Sequence, residues 1–160
     1  MEKKDLLKDV IKHIDIKSYN STELIDAMRN MSFTSRDTAR AADILMMMCK
    51  EKECTNILTL AGSTSAAGCM QVYVDMVRNK MIDVVVATGA SIIDMDLFEA
   101  LGFKHYIGEK ENVIADTTLR DLYIDRIYDT YIDEEELQAC DHTTFEIANM
   151  LEARPYSSRE

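Results

Sequence analysis

Two short stretches carry the residues best suited to chemistry. Gly62-Ser63-Thr64-Ser65-Ala66 follows the apolar run Asn56–Ala61, and Gly89-Ala90-Ser91 follows the apolar run Asp83–Thr88. Small residues let a ligand approach the main chain closely. A helix that starts at such a turn offers free N–H groups that favour a phosphate. Neither turn contains Gly-x-Gly-x-x-Gly, and any strand-to-helix turn uses Gly and Ser. A nucleotide-binding reading and a purely structural one therefore both stand. Just beyond the second turn come Asp94 and Asp96. Residues two apart do not share a helix face, so one carboxylate can face a cleft and the other solvent. They suit a cationic amine, and equally they suit the acid-rich first turn of a helix.

Other reactive side chains are scattered. His13, His105 and His142 have no metal-ligand spacing, and His105 reads as structural. No serine sits in a Gly-x-Ser-x-Gly elbow, and Cys49, Cys54, Cys69 and Cys140 form no Cys-x-x-Cys pair. Neither a catalytic nucleophile nor a metal site is assigned.

The elements that must position these turns follow from periodicity. Leu6, Leu7, Val10, Ile11 and Ile14 predict an amphipathic helix over residues 5–14. Asn20, three before Glu23, is a capping arrangement for a helix over Ser21–Met31. A longer helix is expected from Ser35 to about Lys52. Its run Ile44–Cys49 is apolar nearly all round and predicts burial on more than one side. Asn56–Ala61 and Asp83–Thr88 read as buried strands. Helices follow each, from about Ala66 to Lys80 and from about Asp94 to Leu101. Strand, helix, strand, helix at this spacing is a βαβ unit with a parallel sheet, and in such sheets ligands bind at the carboxyl ends of the strands. Phe103–Ile107 is a third short strand. Residues 118–131 read as a helix or loop leading to an extended segment, and residues 133–153 as helical in two pieces around Asp141-His142.

Composition sets the outer bounds. The chain has 160 residues, 47% hydrophobic, with one Pro and five Gly, which suits one folded domain. Its net charge of −11 disfavours a nucleic-acid surface and permits a cationic partner such as a polyamine or basic protein. No apolar run is long enough to cross a membrane. The start reads as a charged amphipathic helix rather than a signal peptide, and free thiols point to a reducing cytosol.

The stretch LTLAGSTSAAGCMQVYVDMVRNKMIDVVVATGASIIDMDLFEALGFKHYIG, Leu58 to Gly108, resembles the deoxyhypusine synthase family, closest to its bacterial members. DAMRNMSFTSRDTARAADIL resembles the helix before the family's first strand, DLYIDRIYDTYIDEEEL the segment after its third, and the tail RPYSSRE the start of a helix that normally continues. The resemblance implies a Rossmann-like α/β fold with flanking helices, incomplete relative to the family fold. Residues 1–160 would be the N-terminal part of its NAD-binding domain, opening with a helical segment over about residues 1–53. It implies NAD, which accepts a hydride from spermidine, and transfer of the aminobutyl group through a lysine imine. The acceptor would be a lysine of a translation factor, or a small amine in homospermidine- or agmatine-type variants. It also implies oligomers with shared sites.

Carried over by position, Gly62, Ser63, Thr64 and Ala66 match the family's first NAD-contacting turn, and Ala87, Thr88 and Gly89 its second. Ile93, Asp94 and Asp96 match the acids that face NAD and polyamine. Ser63 stands where the eukaryotic enzymes have Asn. The family's imine-forming lysine lies in a Trp-Gly-Lys sequence, and this chain contains no Trp. The resemblance thus implies part of an aminobutyltransferase, as a truncated frame or split-gene half. A non-catalytic or regulatory partner of a full-length homologue is the alternative, and a generic nucleotide-binding domain a third.

Overall fold

The computed structural model describes residues 1–108, 113–157 and 160. Its α-helices are α1 (Lys3–Leu6), α2 (Thr22–Met28), α3 (Phe33–Lys50), α4 (Met70–Arg78), α5 (Gly89–Ser91), α6 (Phe98–Ala100), α7 (Asp116–Asp121) and α8 (Glu134–Met150). The strands are β1 (Ile57–Leu60), β2 (Val84–Ala87), β3 (His105–Ile107), β4 (Ile124–Ile127) and β5 (Thr130–Asp133). No helix among the described residues is long and apolar enough to cross a membrane.

The chain is mixed α/β with two separate sheets. β1 and β2 pair in parallel, Ile57 opposite Val84 through Leu60 opposite Ala87, joined by α4 as a βαβ crossover. The third strand does not join them. β3 pairs antiparallel with β5, and β5 with β4, in a three-stranded sheet ordered β3-β5-β4. Tyr128-Asp129 is the two-residue turn between β4 and β5, and hairpin pairing of that kind is necessarily antiparallel.

The core gathers on the antiparallel sheet. Tyr131 packs with Leu6, Leu119 and Ile124, and Ile132 packs with Phe98 and Cys140. Successive β5 side chains thus enter opposite clusters, as the two-residue strand period demands. α8 runs unbroken through Asp141-His142, which corrects the expected two pieces. Its N-cap is Asp133, whose carboxylate accepts from the N–H groups of Glu135 and Glu136. In α2, the Asn20 side chain accepts from the Thr22 N–H at 3.0 Å. The expected start of a helix at RPYSSRE is not helical over residues 154–157, and Ser158 and Arg159 lie outside the described residues.

The parallel strands stand where periodicity put them, but they are not buried. Ile57 is 56% exposed and Val86 55%, whereas parallel sheets ordinarily have both faces covered. The Ile44–Cys49 run is likewise open: Ala39 is the buried residue of α3, and Met46 and Met47 face solvent. An apolar run signals a need for cover, and these residues of the chain do not supply it.

The amphipathic helix over residues 5–14 is also corrected. α1 stops at Leu6, and the next residues run extended along the edge of β3. Val10 bridges Tyr106, the Ile11 N–H donates to the His105 carbonyl at 2.8 Å, and the Ile107 N–H donates to the Asp9 carbonyl at 2.7 Å. An unpaired strand edge offers these backbone groups partners, and that pairing overrides the helical period. Further along, the Ile14 N–H donates to the Gly68 carbonyl at 3.0 Å, and Lys17 reaches the buried Asp75 carboxylate at 2.7 Å. Residues 9–17 therefore form an arm that fastens β3 to the segment entering α4.

Candidate functional site

The carboxyl end of β1 opens into a tight turn. Gly62 has φ +77°, a left-handed conformation suited to glycine. Helical turns then begin with a wide π-type turn at Ser65–Cys69, and the expected helix from Ala66 is regular α only from Met70. Gly68, at φ +96°, makes the break, and a Cβ there would lie 3.1 Å from the Lys12 carbonyl oxygen. The arm thus presses on the turn where only glycine leaves room. Tyr73, one turn into α4, donates its hydroxyl to Thr64 Oγ1 at 2.8 Å. Ala66 and Ser65 are buried, and Ser65 Oγ has no hydrogen-bond partner among the described protein atoms.

This turn is one wall of a cavity of about 270 Å³. Ala61, Gly62, Ser63, Thr64, Ala66 and Ala67 line one side, and the β4–β5 hairpin residues Ile127–Thr130 line the other. The hairpin wall was not anticipated from sequence. Tyr128-Asp129 is not one of the Asn-Gly or Asp-Gly pairs that mark a two-residue turn, and Asp125 and Arg126 interrupt the apolar pattern before it.

The second turn lies beside the first. Ser91 Oγ donates to the Gly62 carbonyl at 3.0 Å and stands 3.5 Å from Thr88 Oγ1. Ser91, buried, is thus the peg between the two turns, a role the sequence reading missed. Thr88 and Gly89 are exposed and Ala87 half-buried. Helical structure begins at Gly89 rather than near Asp94, continues through a wide turn at Ile92–Leu97, and ends in α6. The thiol of the buried Cys140 on α8 donates to the Ile93 carbonyl at 3.5 Å.

The earlier helix start bears on the two acids. Asp94 and Asp96 lie beyond the first turn, where the helix-dipole attraction for carboxylates has faded. Both are half-buried. Burial raises the Asp94 pKa above its ordinary value, and the nearby Asp141 carboxylate raises it further. Asp96 Oδ1 is buried without a hydrogen-bond partner among the described residues. An acid raised in the folded state makes folding less favourable as pH climbs through that raised value. Asp94→Asn is therefore expected to raise the thermal midpoint at pH 7, with the gain gone below the ordinary 3.8. Melting curves at pH 7 and pH 3 check this; an unchanged midpoint at pH 7 would show that Asp94 is solvated.

A second polar cluster centres on Glu99. The Glu99 carboxylate on α6 receives His13 Nε2 from the arm at 2.5 Å and His105 Nδ1 from β3 at 2.6 Å. The Glu99 side chain is 8% exposed and that of His105 0%. Burial works against the Glu99 charge, but the hydrogen bonds from His105 and His13 outweigh it, holding its pKa below the ordinary value.

Residues 23–160 match the family model described as Deoxyhypusine synthase. The chain belongs to the deoxyhypusine synthase family. It is 66% identical over 159 residues to a "Deoxyhypusine synthase-like protein" of Caulobacter vibrioides, covering 99% of this chain and 43% of that protein. A protein of the same description from Coxiella burnetii is 61% identical over 158 residues, with 99% and 44% covered. "Probable deoxyhypusine synthase 2" of Methanosarcina acetivorans is 36% identical over 147 residues, with 92% and 42% covered. The chain thus spans under half the length of these relatives. The family match takes in both turns, the hairpin, Asp94, Asp96 and Glu99. It begins after His13 and the arm.

Proposed function

We propose that this chain forms the cofactor-holding part of an NAD-dependent aminobutyltransferase acting on spermidine or a related polyamine. The observation that carries the reading is the cavity at the carboxyl end of β1, walled by Gly62, Ser63, Thr64 and Ala66, the residues that match the family's first dinucleotide turn. Ala87, Thr88 and Gly89 form the adjoining turn, pegged to the first by Ser91. The cavity suits the NAD group: small residues admit a pyrophosphate close to the main chain. Bound there, NAD supplies the hydride acceptor. Asp94 and Asp96 supply negative charge, and a polyamine ammonium relieves the Asp94–Asp141 repulsion while giving Asp96 Oδ1 a donor.

In this reading β1 and β2 start a larger Rossmann-like sheet. The exposed valines of β2 and the apolar face of α3 meet further family sequence or another family subunit. The acceptor, whether a protein lysine or a small amine, comes from that assembled site. Imine chemistry needs an active-site lysine, and the family's Trp-Gly-Lys has no counterpart in these residues. The chain is expected to bind NAD when supplied with the remaining length of a family relative, and to show no aminobutyl transfer from spermidine by itself. Calorimetric titration of NAD and an assay of labelled aminobutyl transfer to an amine test both. Aminobutyl transfer by the chain alone, or no NAD binding by the reconstituted assembly, would overturn the proposal.

A further inference from the structure

Four non-glycine residues among those described have φ in the left-handed region: Phe33, Lys80, Tyr123 and Tyr128. Tyr128 is the one of these that lines the cavity at the first turn. Two-residue hairpin turns favour Asn or Gly at such positions, because a β-carbon crowds the backbone there. Tyr128 instead sits at φ +54° and is 89% exposed, so packing does not compensate the strain. The surrounding structure holds the turn regardless. Ile127 pairs with Thr130 across it, Arg126 Nη1 donates to the Tyr128 carbonyl at 3.0 Å, and the Gly108 N–H donates to the Asp129 carbonyl at 2.7 Å. Backbone strain that neighbours enforce is typical of binding sites, and the inference runs from the outlier to a role.

We propose that Tyr128 is the aromatic platform of the cavity, held out by the strained hairpin to stack on the planar heterocycle of a bound nucleotide. This rests on the dinucleotide reading of the first turn. Across the cavity stand Gly62, Ser63 and Thr64 with nothing larger than a hydroxyl group. One wall thus consists of small residues that leave room for phosphate and sugar, and Tyr128 stands on the opposite wall. A tyrosine face suits any base ring, since stacking is tolerant of sequence and depends on the π-surface. Asp129 lines the same wall. Residues on both walls of the cavity belong to this chain, so a mononucleotide is the probe for this half of the site.

The test uses the 160-residue chain, with AMP and nicotinamide mononucleotide as probes. Because the chain has no Trp, Tyr128→Trp places a lone indole at the cavity, and stacking of either probe quenches its emission. Tyr128→Asn and Tyr128→Gly relieve the turn. Each is expected to raise the thermal midpoint by roughly 3 °C while weakening the bound probe about tenfold or more by calorimetry. Tyr128→Phe keeps the ring and is expected to keep the affinity. Opposite signs in stability and binding are the signature, since a merely structural tyrosine would move the melting point and leave affinity alone. Binding that is indifferent to Tyr128→Asn overturns the stacking role and leaves the dinucleotide reading intact. If neither mononucleotide binds the wild-type chain, the stacking proposal falls. If NAD also fails to bind the reconstituted assembly, the dinucleotide reading falls with it.

Discussion

Replacing Glu99 with Ala is expected to destabilise the chain by roughly 1–3 kcal/mol for each imidazole left without its acceptor, the usual cost of an unsatisfied buried donor. Glu99 stands between the arm and β3, and its carboxylate satisfies His13 Nε2 and His105 Nδ1 together. Without it two largely buried imidazoles lose their shared acceptor. Glu99→Gln is the milder variant, because an amide oxygen still accepts from one ring while its NH2 faces the other. The direction with pH follows from the depressed Glu99 pKa. A carboxylate lowered in the folded state contributes stability above its ordinary value of 4.5, and that contribution is lost as pH falls through the lowered value. Urea denaturation of wild-type and Glu99→Gln chains at pH 7 and pH 3 reads this out. The gap between them is expected at pH 7 and narrows at pH 3; a gap independent of pH would show that charge is irrelevant to the tie.

The largest effect on ligand binding is expected at Gly89. In the family-length assembly, Gly89→Val is expected to weaken NAD at least a hundredfold while the fold survives. A Cβ at Gly89 meets nothing within 4 Å, and its φ lies outside the left-handed region, so the substitution is unstrained. Any loss of affinity then reports the space a dinucleotide needs. Gly62 offers no such clean test, since its φ of +77° makes a side chain strained whatever the room. Asp96→Asn is the companion: it removes a charge partner for an ammonium and should weaken spermidine about tenfold with little effect on NAD. Unchanged NAD affinity in Gly89→Val would make the second turn a plain structural connection. Unchanged spermidine affinity in both Asp96→Asn and Asp94→Asn would move the polyamine site elsewhere.

The elements that define the two turns were legible because their signals are local. The runs ending at Ala61 and Thr88 are short, apolar and closed by glycine, so strand and turn could be placed from neighbours alone. What failed was decided at long range. Residues 5–14 carry a helical pattern, but the open edge of β3 lies nearly a hundred positions away and captures them. Phe103–Ile107 was rightly a strand, yet its sheet is chosen by the β4–β5 hairpin. The apolar run in α3 and the valines of β2 predicted cover, and among the described residues they stay exposed. Asp94 and Asp96 were placed at a helix start because the helix was taken to open near them. It opens at Gly89, where a short run of small residues hides the boundary. Ser91 and the hairpin wall carry no motif of their own; each becomes part of the site through one contact or one cavity that only tertiary structure creates.

The arm has a consequence for how the chain comes into being. A ribosome makes residues 3–17 long before their partners exist. Lys3 meets Asp133, 130 positions later, Val10 waits for Tyr106, and His13 for Glu99. Contacts of such high sequence separation form slowly, because loop closure must come before the reward. The βα units behind the arm can assemble during synthesis, while the arm itself trails as an unpaired polypeptide. Its docking is thus expected late in folding, and its unfastening early in unfolding. Substitutions in the arm, His13 among them, should accordingly speed unfolding and leave the folding rate almost untouched.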